Sequence, residues 1–347
     1  MTEHRLLRRS TLEDVAREAG VSLATADRVV HRRDGVREKT IRRVEAAIAK
    51  LGYRPNAAAA SLSRNKTWRF AFMLPANSNA FIANLAEQVE RTSDWLTGQN
   101  GFIDVMRVDV FDPVTLAKAL WDLPAVYEGV AVVALDDARV RAAMDDLVAR
   151  GVHVVTLVSD APGSRRANYV GIDNPAAGRT AGSLMGRFLR GQKGFVGIIT
   201  GSLSLRDHAE RHFGFRQVLS AEYPDLVGLP PAEGRDDSAR NHEIARALLA
   251  QHPDLVGIYN AGAGNEGIAA ALREAGAGRD IVWIAHELTG DTRRLLLEGT
   301  IAAIINQDPG HEARSAARIL LALCTGQLIY PDQERIRIEI FLRDNLN

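Results

Sequence analysis

The sequence predicts a small all-α helix-turn-helix head followed by a two-lobed α/β body built on two doubly wound parallel sheets. Three observations predict it. Residues 11–62 hold short helical patterns separated by single glycines, and residues beyond Lys66 alternate strand-length apolar runs with helical stretches. The change of pattern coincides with a reversal of charge: residues 1–66 carry 15 Lys and Arg against 8 Asp and Glu, net +7, and the remainder carries 28 against 35, net −7. The formal balance of zero hides a basic head on an acidic body.

In the head, Leu12, Val15, Ala16 and Ala19 recur at three- and four-residue steps, which places them on one face of a short helix ended by Gly20. Ser22 is a good N-cap, and Ala26, Val29 and Val30 supply the buried face of a second helix. Two helices across so tight a turn form a helix-turn-helix. In that motif the second helix lies in the major groove with its first residues at base edges, so Leu23, Ala24, Thr25 and Arg28 are the candidate readers. Arg28 can grip guanine O6 and N7 together, for about 1–3 kcal/mol of discrimination, whereas Leu23 and Ala24 sense only a thymine methyl or groove shape. A third helix is expected from about Lys39 to Leu51, where Ile41, Val44, Ile48 and Leu51 cover the first two helices before Gly52 stops it. A three-helix bundle with no nucleic-acid role is the alternative. The basic charge argues against it, because counterion release from phosphate favours such a head. Arg32, Arg33 and Arg37 are read either as phosphate contacts or as solvated charges.

The run TLEDVAREAGVSLATADRVV, followed by KTIRRVEAAIAKLGYRPNAAAASL, resembles the DNA-binding head and hinge of the LacI-type (LacI/GalR) transcription regulator family. The resemblance implies a homodimer whose two heads sit on a pseudo-palindromic double-stranded operator. It places Leu23 and Ala24 where the family reads bases and Arg28 at its usual arginine. Asn56 to Ser63 match the hinge helix, and Leu62 the leucine that wedges into the minor groove, unstacking a base step at about a few kcal/mol. Thr11, Ser22, Thr25, His31 and Ala59 complete the DNA-binding set carried over from the family. Residues 1–55 are then the helix-turn-helix domain, 56–66 the hinge helix and linker, and 67–347 the ligand-binding and dimerisation domain. Asp27 departs from the small hydroxyl residue common at its place. Either it turns toward Arg28 or Arg32, the favoured reading, or it reads a cytosine amino group.

At 347 residues the chain has room for two or three folded units. No apolar run approaches the roughly 20 residues of a membrane span, and MTEHRLLRRS lacks the apolar core of a signal peptide. Cys324 is the only cysteine, so neither an internal disulfide nor a cysteine-based zinc site can form, and a cytoplasmic protein is expected.

In the body, apolar runs at Phe70 to Leu74, Val130 to Leu135, Val152 to Val158, Val196 to Thr200, Leu255 to Tyr259 and Ile281 to Ala285 are expected as buried parallel strands. Helices are expected at Ile82 to Trp95, Val140 to Ala149, Ala176 to Leu189, Phe213 to Tyr223, Glu243 to Leu249, Ile268 to Ala275 and Glu312 to Leu323. RIRIEIFLRDNLN reads as a last strand with a short tail. About 280 residues is large for one doubly wound sheet, hence two lobes. Polar residues follow the strands: Asn77, Asn79 and Phe81 after the first, then Ser159 with Asp160, Asn260, His286 with Glu287, and Asn306, Gln307 and Asp308. Singly, each reads as a turn residue or helix cap. Together, amides, carboxylates and one aromatic ring suit a polyhydroxylated ligand, whose hydroxyls need donors and acceptors and whose CH face needs a flat apolar partner.

The body also resembles the two-lobed sugar-binding fold of type I periplasmic binding proteins, which the LacI-type family uses as its sensor. That resemblance implies a small-molecule effector, sugar or polyol, bound by Asn79, Phe81, Arg211, Asn260, His286, Glu287 and Gln307, and Asp160 is added to the set as a polar residue at a strand end. His286 with Glu287 departs from the single aspartate of many relatives and leaves the ligand class open.

Gly262, Gly264 and Gly267 spell GxGxxG between a strand and a helix, with Glu287 about twenty residues on, and so raise a nicotinamide-binding enzyme as an alternative. The motif comes late in the chain, and no residue set suggests hydride chemistry. His208 and His212, four apart, could share a helix face, but no third metal ligand of known spacing appears. A DNA-architectural protein whose body only dimerises is the third alternative. The expectation adopted is a cytoplasmic, ligand-responsive repressor with no catalytic activity, cofactor or metal.

Overall fold

The computed structural model describes residues 10–30, 34–53, 66–76, 79–278 and 280–346, and the chain divides into two compact units, Met1–Lys66 and Thr67–Asn347. His31, Ala59, Leu62, the Asn56 to Ser63 stretch, Arg32, Arg33 and Asn77 lie outside the described residues.

Among the described residues three helices form the head: α1 (Leu12–Ala19), α2 (Leu23–Val30) and α3 (Glu38–Leu51). Thr11 caps α1 in a reciprocal box with Asp14, and Gly20 ends it at φ 60°. Ser22 Oγ accepts the Thr25 amide at 3.2 Å. Val15, Ala19, Val29, Val44 and Ala47 make the small core, with Ile41, Ile48 and Leu51 packed against it. Arg43 on α3 donates to the carbonyls of Ala19 and Gly20, filling acceptors left open at the end of α1.

The first lobe of the body holds β1 (Trp68–Pro75), β2 (Gly101–Val108), β3 (Gly129–Val132), β4 (His153–Leu157) and β5 (Asn168–Val170), parallel and in the order β2-β1-β3-β4-β5. Phe70 stands opposite both Ile103 and Gly129, which fixes the register at the centre. Helices α4 (Ala80–Thr97), α5 (Pro113–Trp121) and α6 (Ala138–Ala149) connect these strands. The second lobe starts with α7 (Asn174–Phe188), β6 (Gly194–Thr200), α8 (Arg206–Glu222), β7 (Leu226–Gly228) and β8 (Ala232–Glu233). It continues through α9 (Ser238–Gln251), β9 (Leu255–Asn260), α10 (Asn265–Glu274), β10 (Val282–His286), α11 (Gly290–Leu297) and β11 (Ala303–Asn306). α12 (Pro309–Thr325) crosses back onto the first sheet, and β12 (Glu339–Phe341) returns to pair antiparallel with β11. The second sheet runs β12-β11-β10-β9-β6-β7, with β8 also on β6. The chain therefore passes between lobes after β5, after β11 and after α12.

β2, β5, β7, β8, α5 and α11 were not expected from the sequence. β2 is an edge strand with half-buried side chains and the polar Asp104 and Arg107, so it shows no apolar run. β5, β7 and β8 are only two or three residues long. α8 starts at Arg206 rather than Phe213, because its first turns bury Asp207, His208 and Arg211 instead of apolar side chains. The order reverses between β1 and β3 in one sheet and between β6 and β9 in the other. Ligand crevices of doubly wound sheets open at such points, outside the strands' carboxyl ends.

Candidate functional site

Residues that follow strands of both sheets enclose a cavity of about 420 Å³ between the lobes. The first lobe contributes Asn79, Phe81, Phe111 and Ser159; the second contributes Asp207, His208 and Arg211 from α8, then Asp236, Glu287 and Gln307. Asn79 caps α4 by accepting the Ile82 amide at 2.9 Å, and its Nδ2 donates to Asp236 across the cleft at 3.4 Å. A second link between the lobes joins Arg206 on α8 to Asp136 at 3.1 Å.

Arg211 organises the floor. It is 2 % exposed; Nε donates to Asn174 at 2.8 Å, Nη1 donates to the Ala261 carbonyl at 3.0 Å, and Nη1 lies 3.5 Å from Glu287 Oε1. Burial works against the guanidinium charge, but the Glu287 and Asp207 carboxylates outweigh it and hold the pKa above its usual value. Glu287 accepts from Gln307 Nε2 at 2.9 Å, and burial, only partly offset by Arg211, pushes its pKa up to about 7. Its φ of 65° is a left-handed conformation that a residue with a Cβ adopts at a cost of about 1–3 kcal/mol, a kind of strain that gathers at binding sites. Arg211 Nη2, Glu287 Oε2, Gln307 Oε1, Asp207 Oδ1 and Ser159 Oγ are buried without a hydrogen-bond partner. The wall thus holds donors and acceptors in reserve, where buried polar groups are ordinarily satisfied.

What lets Arg211 reach this position is a close helix crossing. A Cβ on Gly178 of α7 would stand 2.0 Å from the Arg211 carbonyl oxygen, and one on Gly214 of α8 would stand 2.2 Å from that of Pro175.

Five of the eight sequence-derived ligand residues line this cavity: Asn79, Phe81, Arg211, Glu287 and Gln307. Asp160 does not; Arg166 grips both its oxygens and Thr156 donates to it at 2.6 Å, so it braces a loop of the first lobe. Asn260 does not either. Its Nδ2 donates to Ala263 O at 2.9 Å and Asn265 Oδ1 at 2.8 Å, and its Oδ1 accepts the Gly262 amide, so it builds the turn after β9. His286 points away from the main cavity to Tyr259, 2.8 Å from its hydroxyl, and lines an adjoining space; burial holds its pKa well below normal, so the ring is neutral. Sequence reading missed Asp207, His208 and Asp236.

The GxGxxG turn has another use. The Ala263 amide inside it donates to Asp236 at 2.8 Å, so a carboxylate holds the place of a phosphate. A Cβ on Gly267 would stand 1.8 Å from Ser238 O, so this glycine serves the packing of α10 on α9. Among the described residues no group of three or more His, Cys, Asp or Glu could hold a metal ion, and no helix is long and apolar enough to cross a membrane. Cys324 is half-buried and packed against the core.

In the head, Leu23, Ala24 and Arg28 are exposed on α2, Leu23 by 46 %, while Ala26 and Val29 face the core. Thr25 is half-buried with its hydroxyl 2.8 Å from Ser22 Oγ, and Thr11 is spent on its cap. The Asp27 carboxylate is near enough to Tyr53 to add to burial in raising the phenol's pKa.

A model of the periplasmic binding protein domain matches residues 70–328, and a model of bacterial regulatory proteins of the lacI family matches residues 11–56. The chain belongs to the LacI family. Its body is a periplasmic binding protein domain. Catabolite control protein A of Priestia megaterium is 46 % identical over 80 residues, 23 % of this LacI-family chain and 24 % of that protein. The HTH-type transcriptional regulator RegA of Clostridium saccharobutylicum is 44 % identical over 85 residues, 24 % of this chain and 26 % of its own. These matches span about a quarter of the curated relatives' length. A solute-binding protein from Burkholderia graminis, solved in complex with D-arabinose, superposes with a TM-score of 0.74 at 27 % identity over 81 % of this chain and 96 % of that one. A LacI-type regulator from Bacteroides fragilis shares the fold at 16 % identity, with a TM-score of 0.71 over 81 % of this chain and 98 % of that one.

Because Glu287 holds its proton more tightly in the folded LacI-family body than the usual 4.5 allows, the folded state binds more protons between pH 4.5 and about 7. Its contribution to stability is therefore full below about 4.5 and is lost as pH rises through about 7. The expected loss for the ligand-free protein is up to about 3 kcal/mol. Melting curves from pH 5 to 8 should show it, and Glu287→Gln should flatten the slope; an identical slope in the variant would contradict the assignment.

Proposed function

We propose that this LacI-family chain is a DNA-binding transcription regulator, a repressor whose operator affinity is switched by a sugar or polyol held between the lobes. The observation that carries the ligand half is the cavity wall with both donors and acceptors unpartnered, from Arg211, Glu287, Gln307, Asp207 and Ser159, beside the rings of Phe81 and Phe111. A polyhydroxylated molecule offers both kinds of partner at close spacing together with an apolar face. The superposition with a D-arabinose-bound protein supports the same class.

For the DNA half, residues 1–55 act as the reading domain, with Leu23, Ala24 and Arg28 at base edges, and residues 56–66 carry the response between units. Two chains pair on a pseudo-palindromic site. Moving occupancy from nearly full to nearly empty requires a ligand preference of about 10⁴, roughly 5.5 kcal/mol, between the two states of the protein. Arg28→Ala is expected to weaken binding to the selected operator by about 1–3 kcal/mol and to relax preference at one base pair. Selection from a random duplex pool followed by titration tests it; unchanged affinity and unchanged preference would remove Arg28 from the reading face.

Thermal melting against pentoses, hexoses, cyclic polyols, sugar phosphates and NAD tests the ligand half. A ligand at about 100 times its dissociation constant adds roughly 2.7 kcal/mol, a shift of a few degrees. A shift with a sugar or polyol is the expected result, and a shift with NAD alone contradicts it.

A further inference from the structure

Beside the main cavity lies a second space of about 370 Å³, and the two share the wall formed by Asn79, Phe81, Asp236, Asp237, Ala263 and Glu287. Among the described residues, Asp236, Asp237, Glu266, Glu287 and Asp291 line this second chamber, and no Lys or Arg does. Arg294 pairs with Glu266 and Arg211 with Glu287, which leaves Asp236, Asp237 and Asp291 to set the charge of the chamber. Glu287 adds an independent sign of a ligand. It is 7 % exposed, its Oε1 accepts from Gln307, and its Oε2 is buried without a hydrogen-bond partner on the element that lines both spaces. The buried cation of the main cavity, Arg211, is committed to Asn174, Ala261 and Glu287. A phosphate or carboxylate entering here would meet carboxylates. An ammonium, with three donors and no acceptor, fits them.

We propose that the ligand is an amino sugar or aminated polyol, its hydroxyls in the main cavity and its ammonium in the carboxylate-lined second chamber. The proposal rests on reading the cleft as a polyol site. Calorimetric titration of the full-length protein compares a hexose with its 2-amino-2-deoxy and 6-phosphate counterparts, and a cyclic polyol with its monoamine. The aminated member of a pair should bind about tenfold more tightly than its parent, or better. That preference should shrink with added salt and in Asp291→Asn, and the phosphate should not bind. A parent that binds as tightly as its amine, a phosphate that binds, or an amine preference unchanged in Asp291→Asn overturns the amine assignment and leaves the polyol reading standing. Failure of every member to bind takes both down.

Discussion

Arg211→Met should abolish ligand binding while the head still binds DNA. The substitution keeps much of the side chain's volume but removes the buried cation that holds Glu287 and bonds Asn174 and the Ala261 carbonyl. Breaking a buried pair by deleting one partner costs about 3–5 kcal/mol. Glu287, whose pKa already stands at about 7, relieves part of that cost by taking a proton. Affinity falls further, because a hydrogen bond to a charged group contributes about 1.5–3 kcal/mol. Arg211→Lys keeps the charge but loses the forked geometry, and should fold better while binding weakly. Calorimetry reads the affinity and melting reads the fold. Ligand affinity retained in a folded Arg211→Met protein would move the site elsewhere.

Gly178→Ala should destabilise the body by about 3 kcal/mol and weaken ligand binding with it. Two effects compete. Alanine in a helix interior gains up to about 1 kcal/mol over glycine. Against that, the new methyl would sit 2.0 Å from the Arg211 carbonyl oxygen, and backbone cannot swing aside as a flexible side chain can. α8 must move, and Arg211 moves with it. Gly182→Ala, whose Cβ would meet Phe215 O at 2.9 Å, should cost less. Melting temperatures of the two variants check the order; a stabilised Gly178→Ala protein would show that the crossing is looser than described.

The head was legible because its signals are local. Gly20 and Gly52 take left-handed conformations where the helical periodicity stops, and Ser22 caps the helix that follows it. The central strands of the body were legible as apolar runs, because both faces are covered. Legibility failed where a polar residue is buried. Asp207, His208 and Arg211 open α8 with the composition of a solvated face, so the helix was expected seven residues late and two of these residues were missed as cavity wall. Position after a strand gives depth in the cleft but not direction. Asp160 answers to Arg166 six residues on, and Asn260 to Asn265, neither of which periodicity reveals. His286 and Glu287 are neighbours with opposite fates: the first follows the strand toward Tyr259, and the second turns back toward Arg211 at positive φ. The second chamber joins residues from several loops, an arrangement that only the fold brings together.

In the proposed switch, ligand in the cleft changes the affinity of the head for DNA. The most direct test is titration of a fluorescent operator duplex, selected from a random pool, with the full-length protein at zero and at saturating concentration of the sugar, polyol or amine that raises its melting temperature. Operator affinity should change by about tenfold or more, together with a reciprocal change in ligand affinity when operator is present. Equal operator affinity with and without saturating ligand would contradict the switch.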